Sequence, residues 1–257
     1  AAGGAAAAIG RGVELGCTAL QIFVKSPNQW RARPLPPAAA AEFRAARAAS
    51  PIGPVVAHAA YLINLAAPPG ETRERSLAAL ADELGRGAAL GLDALVVHPG
   101  AHLGAGAEGG LVRVAAALDE VLAAVPAGAP RLLLEITAGQ GTVLGSRLEE
   151  LARIVELAAC GERLGVCLDT CHAWAGGNDL STMVDRILAI TGRVDFVHAN
   201  DSRDTFDSGA DRHTNFGSGE IDGSEVSDLV RAAGCPVVVE TPGGVDGQSA
   251  DITWLRD

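Results

Sequence analysis

The chain is 257 residues long, with 20 Lys and Arg against 31 Asp and Glu, a formal net charge of -11, 48% hydrophobic residues and 4% aromatic ones. That balance excludes a broad basic surface for nucleic acid, so a polyanionic partner needs a local cationic site, and it fits an ordinary globular protein with a large aliphatic core. The length suits one barrel-sized domain, expected over residues 1–257. The opening "AAGGAAAAIGRGVELG" lacks a basic segment followed by a bulky apolar one. No apolar run reaches the ~18 residues of a membrane span, so neither export nor membrane insertion is expected. Five cysteines without a C-x-x-C pair, set in apolar runs, read as free thiols of a reducing compartment, and the expected location is cytoplasmic.

In chain order, a Gly/Ala loop and a helix come first, with no strand ahead of them. The run "ALQIFVK", ending near Val24, is the first expected strand; the proline-rich loop "SPNQWRARPLPP" and a helix over "PAAAAEFRAARAAS" follow. Further strands are expected in "PVVAHAA" to His58, "ALVVHPG" to His98, "RLLLEIT" to Glu135, "LGVCLDT" to Asp169, "VDFVHAN" to His198 and "CPVVVETP" to Glu240. Unbroken Val/Ile/Leu runs mean strands buried on both faces, as in a parallel sheet covered by helices. Between them "RERSLAALADELGRGAALG" and "SRLEELARIVELAACGERLG" place apolar residues at helical spacing, and Gly91 and Gly165 are read as helix ends. The repeat of roughly 30 to 40 residues holds one strand, one helix and two loops. The expected fold is α/β, a (β/α)8 barrel with only seven strands visible, its first strand apparently missing from this chain; an open sheet is the other architecture the pattern allows.

In such a barrel the C-terminal strand ends converge on one mouth. Here they carry His58, His98, Glu135, Asp169, His198 and Glu240, all metal-ligand types. Imidazoles and carboxylates packed together would repel or stay unsatisfied without a cation. His172 follows Asp169 by three residues, and Asp211 and His213, spaced i and i+2, point to one side of an extended loop while Arg212 points away, free to meet solvent or an anionic substrate. Nine candidate ligands, five histidines and four carboxylates, exceed the needs of one ion and suit two or three. His102, the sixth histidine, is expected in a loop or as a residue that orients a ligand. Ligands without thiolate fit Zn2+, with Mn2+ or Fe2+ as substitutes, and Cys167 and Cys171 are expected to pack as apolar groups.

The stretches "QWRA", "HAAYLINLA", "VVHPGAH", "LLLEITAGQGT", "GVCLDTCHAWAGG", "HANDSRDTFDSGADRHTNFGSGEI" and "VVVETP" lie in order over nearly the full length. Together they resemble the endonuclease IV family of zinc-dependent apurinic/apyrimidinic endonucleases. The resemblance implies a (β/α)8 barrel acting as a monomer on double-stranded DNA with abasic sites. The implied reaction is hydrolysis 5′ to the lesion, leaving 3′-hydroxyl and 5′-deoxyribose phosphate ends. It further implies three zinc ions: His58, His98 and Glu135 for the first, with Glu135 bridging to a second held by Asp169, His198 and Glu240, and His172, Asp211 and His213 for the third. Glu135 and Arg212 would be catalytic, Arg212 also meeting DNA, and Tyr61 and Leu62 would insert into the duplex. Asn28 stands at a DNA-facing position where some relatives present arginine. The alternative is a sugar isomerase or epimerase of the same barrel type, which needs one or two metals and has no use for His172, Asp211 and His213 together.

Overall fold

A computed structural model describes residues 4–126 and 128–256. From the N-terminal side the elements are α1 (Ala5–Glu14), β1 (Leu20–Ile22), α2 (Pro37–Ala48), β2 (Val55–His58), α3 (Glu71–Leu90), β3 (Ala94–Val97), α4 (Ala107–Ala124), β4 (Arg131–Glu135) and α5 (Leu148–Leu157). There follow β5 (Leu164–Asp169), α6 (Thr170–Ala175), α7 (Leu180–Thr191), β6 (Phe196–His198), β7 (Asp201–Ser202), β8 (His213–Thr214), α8 (Gly223–Ala233), β9 (Val237–Val238) and α9 (Gly244–Arg256). Seven strands form one parallel sheet in the order β1-β2-β3-β4-β5-β6-β9, nearly closed into a TIM barrel, while β7 and β8 pair antiparallel as a separate ribbon. Among the described residues no helix is long and apolar enough to cross a membrane.

Two apolar layers follow from strand periodicity. Residues such as Val55, Leu95, Leu132, Leu134, Val166, Leu168 and Val197 face outward and pack with the helices in one large core. The alternating positions Val56, Ala94, Val96, Leu133, Cys167 and Phe196 face inward and form a second, smaller cluster that fills the barrel, with Val238 against it. Cys167 therefore packs as an apolar group, as expected. In-register pairs such as Glu135 with Cys167, Asp169 with His198 and His198 with Val238 bring the strand ends to one level.

Several boundaries differ from the sequence expectation. β1 stops at Ile22, not Val24, and β9 at Val238, two residues before Glu240, because each is an edge with a ladder partner on one side only. Gly91 does end α3, in the left-handed conformation at φ 69°. Gly165 does not end a helix: it lies within β5, where an added Cβ would collide with the Asp195 carboxylate. No strand among the described residues lies between β9 and β1, so the barrel has one open seam. A cavity of about 740 Å3 fills it, lined by Leu20, Gln21, Val237, Val239, Glu240 and Leu255 among others. Behind the seam the α9 residue Arg256 donates to the Gly16 carbonyl.

Candidate metal centre

On six barrel strands an inner-layer residue is followed two positions on by a metal-ligand type. Val56 precedes His58, Val96 His98, Leu133 Glu135, Cys167 Asp169, Phe196 His198 and Val238 Glu240. Side chains two apart on an extended chain share a face, so the apolar cluster is the floor of the mouth and the polar set its rim. His58, Glu135, Asp169, His172 and His198 are buried, His98, His213 and Glu240 half-buried, and Asp211 exposed. Their ligand atoms gather into three adjoining groups: His58, His98 and Glu135; Glu135, Asp169, His198 and Glu240; and His172, Asp211 and His213. All nine candidate ligands are thus brought together, in three groups that meet at Glu135 and Asp169.

Glu135 sits between two of them. Its Oε2 lies 3.0 Å from both His58 Nε2 and His98 Nε2, while its Oε1 lies 2.9 Å from His198 Nδ1 and 3.3 Å from His172 Nδ1. Burial pushes this carboxyl up, but the opposing charges of His198 and His98 and hydrogen bonds from His172 and His198 outweigh it and hold Glu135 well below the usual range. In the third group Asp211 Oδ1 lies 3.1 Å from His172 Nε2 and 3.3 Å from His213 Nε2. Asp211 is lowered to about 2: burial opposes ionisation, and His172, His213 and His98 override it. Burial likewise lowers His172, yet Asp169, Asp211 and Glu135 raise it well above the ordinary imidazole range. Buried imidazoles and carboxylates held in mutual contact are compatible with a divalent ion among them.

The ring nitrogens support this reading. His58 Nδ1 faces the Ala59 carbonyl at 2.7 Å and His172 Nδ1 the Ile136 carbonyl at 3.0 Å, so the Nε2 of each is left for a ligand group. His198 is turned the other way, with Nε2 on Gln21 Oε1 at 2.7 Å and Nδ1 toward the centre. Fixing one imidazole nitrogen on a carbonyl orients the other toward a metal. His98 Nε2 and His213 Nε2 are buried without a hydrogen bond, although carboxylate oxygens stand 3.0 and 3.3 Å away. Buried ring nitrogens without a hydrogen bond are available to a metal ion. The donor set therefore fits divalent metal ions. Cys167 and Cys171 fit poorly as thiolates, since burial above all pushes each thiol up to about 12.

The remaining candidates separate. Tyr61 is 56% exposed on the loop after β2, its ring 5.4 Å from His58 and 6.5 Å from His98, so it overhangs the mouth. Leu62 is half-buried beside it, and Asn28 is exposed on the β1–α2 loop. His102 is half-buried outside the three groups. Arg212 is exposed, but it is not the free guanidinium expected, because the Asp204 carboxylate accepts from both Nε, at 2.7 Å, and Nη2. Two residues escaped the sequence reading. Asn200, fully buried, donates to Asp169 Oδ2 at 2.7 Å and accepts from the Glu240 backbone N–H at 2.8 Å, and Gln21 contacts both His198 and Glu240. The signal for Gln21 was a lone polar residue in an aliphatic strand.

The family model described as a xylose isomerase-like TIM barrel matches residues 9–257. A probable endonuclease 4 of Chloroflexus aurantiacus is 46% identical over 256 residues, covering 95% of this chain and 90% of the relative. The crystal structure of endonuclease IV from Thermus thermophilus superposes with a TM-score of 0.85 at 40% identity, covering 98% of this chain and 93% of that one. A D-tagatose 3-epimerase-like protein matches with a TM-score of 0.75 at 21% identity, over 93% of this chain and 89% of its own, a likeness of fold alone. With a family model across nearly the whole chain and relatives this similar along its length, the chain belongs to the endonuclease IV family of xylose isomerase-like TIM barrels.

Proposed function

We propose that this chain is a zinc-dependent apurinic/apyrimidinic endonuclease that cuts double-stranded DNA 5′ to an abasic site, leaving 3′-hydroxyl and 5′-deoxyribose phosphate ends. It works as a cytoplasmic monomer with the whole chain as one domain. The observation that carries this reading is Glu135: one carboxylate presents its two oxygens to two different histidine groups, with a third ligand group adjoining. His58, His98 and Glu135 would hold one zinc, Glu135, Asp169, His198 and Glu240 a second, and His172, Asp211 and His213 a third, with Mn2+ or Fe2+ as substitutes. Bound divalent ions supply Lewis-acid polarisation of a phosphoryl group and a hydroxide nucleophile at neutral pH.

The chain's own residues supply the rest. Three divalent charges exceed the four carboxylates that face them, which makes the mouth the local cationic site that a protein of net charge -11 needs in order to meet a phosphate. Burial raises the Tyr61 phenol to about 12, with Glu240, Glu135 and Asp211 acting in the same direction, so the ring overhanging the mouth is neutral and suited to stack against bases. Tyr61 and Leu62 would wedge into the duplex where a base is already missing and unstacking costs least, and Asn28 would meet the DNA from the neighbouring loop. Arg212, anchored by Asp204, would border the phosphate path. Zinc content per chain and single-turnover cleavage of a duplex with one abasic analogue test the reading. Near three zinc ions and cleavage 5′ to the analogue are expected; one or two metals with interconversion of ketose sugars would assign the barrel to the epimerases.

A further inference from the structure

The inner layer of the barrel is apolar on β2 to β6 and on β9, at Val56, Val96, Leu133, Cys167, Phe196 and Val238, but not on β1. There Gln21 pairs in register with Val56, so it shares the inward phase while carrying an amide. β1 is also an edge strand, with no strand between it and β9 among the described residues. The Gln21 side chain reaches across that seam, 219 residues along the chain, and its Nε2 donates to Glu240 Oε1 at 2.6 Å. Its Oε1 accepts from His198 Nε2 at 2.7 Å.

The chemistry leaves one consistent assignment. The amide nitrogen is the donor of Gln21 and faces Glu240 Oε1, so the amide oxygen faces His198. An amide oxygen only accepts, so His198 Nε2 must carry a proton. His198 Nδ1 is then the nitrogen left to meet the centre, 2.9 Å from Glu135 Oε1 and 3.3 Å from Glu240 Oε2. Glu240, tied through Oε1, presents Oε2. One neutral side chain thus sets the tautomer of one ligand and the rotamer of another. We propose that Gln21 is a positioning residue for the ligand group of Glu135, Asp169, His198 and Glu240, selecting Nδ1 of His198 and Oε2 of Glu240. The inference rests on the metal reading proposed above.

The test compares the unmutated chain with Gln21→Met, which keeps length but removes both amide functions, and Gln21→Glu, which keeps an acceptor for His198 but opposes Glu240. Zinc affinity is read by competition with a chromophoric chelator, and the tautomer of His198 in the zinc-loaded protein by long-range 15N–1H correlation spectra. For Gln21→Met one of three zinc equivalents should weaken by ~10- to 100-fold, the usual cost of losing a residue that orients a ligand, with the other two within about two-fold. Gln21→Glu should weaken the same equivalent while retaining the Nε2–H signature of His198; this arm stands if the methionine variant fails to fold. Three unchanged zinc equivalents and an unchanged His198 signature in either folded variant would overturn the role of Gln21. An unmutated chain that binds no zinc would instead overturn the metal reading and this inference with it.

Discussion

His213 divides the site chemically, because it reaches the centre from β8 of the separate ribbon rather than from a barrel strand. Its Nε2 is buried without a hydrogen bond, 3.3 Å from Asp211 and 3.6 Å from Asp169, so its removal takes away a candidate ligand without breaking a hydrogen bond of that nitrogen. His58, His98, Glu135, Asp169, His198 and Glu240 are untouched by that change. His213→Ala should therefore lose about one zinc equivalent and slow single-turnover cleavage by roughly 10² to 10³, the loss typical of one group that stabilises developing charge. Binding of the abasic duplex should stay within a few-fold. Cleavage close to that of the unmutated protein would remove the third ligand group from the mechanism.

The loops that overhang the mouth are held by a buried ion pair. Glu83 of α3 lies 3.2 Å from Lys25 Nζ, each side chain 1% exposed, and accepts the Ala60 N–H at 3.2 Å, while Lys25 donates to the Trp30 carbonyl at 3.1 Å. One pair thus pins both the loop of Tyr61 and that of Asn28. Lys25→Met leaves a buried carboxylate without its cation and should cost about 3 to 5 kcal/mol in urea unfolding at neutral pH. Burial already raises the Glu83 carboxyl despite Lys25. A carboxyl raised in the folded state is neutral there at low pH, so the loss should vanish below about pH 4 and grow as pH rises. A pH-independent loss would mean that Glu83 is not the group left unpaired. Tyr61→Ala belongs to the same loop but should spare its anchor. Zinc content should hold and affinity for the abasic duplex should fall by roughly 5- to 100-fold, equivalent to one lost stacking contact. Zinc loss in parallel would make Tyr61 a support of His58 rather than a DNA contact.

At the scale of the molecule, β1 and β9 are the two strands of the described barrel that lack a ladder on one side. β9 pairs with β6 through two residue pairs, and a cavity of about 740 Å3 lies between β1 and β9. Gln21 spans the gap at the mouth and Arg256 ties α9 to Gly16 behind it.

The sequence by itself determined the chemistry of the mouth. Strand period two and the βα repeat are local properties, so His58, His98, Glu135, Asp169, His198 and Glu240 could be placed at neighbouring strand ends from spacing alone, and the Asp211–His213 pair from its own alternation. The tertiary structure decided what orients those groups. The carbonyls of Ala59 and Ile136, the amide of Asn200 and the amide of Gln21 act through contacts that depend on barrel curvature and on which edges face the seam, and the Asp204 carboxylate that engages Arg212 depends on how the β7–β8 loop folds back. Local pattern specifies which face a side chain takes; only closure of the sheet specifies what it meets 219 residues away.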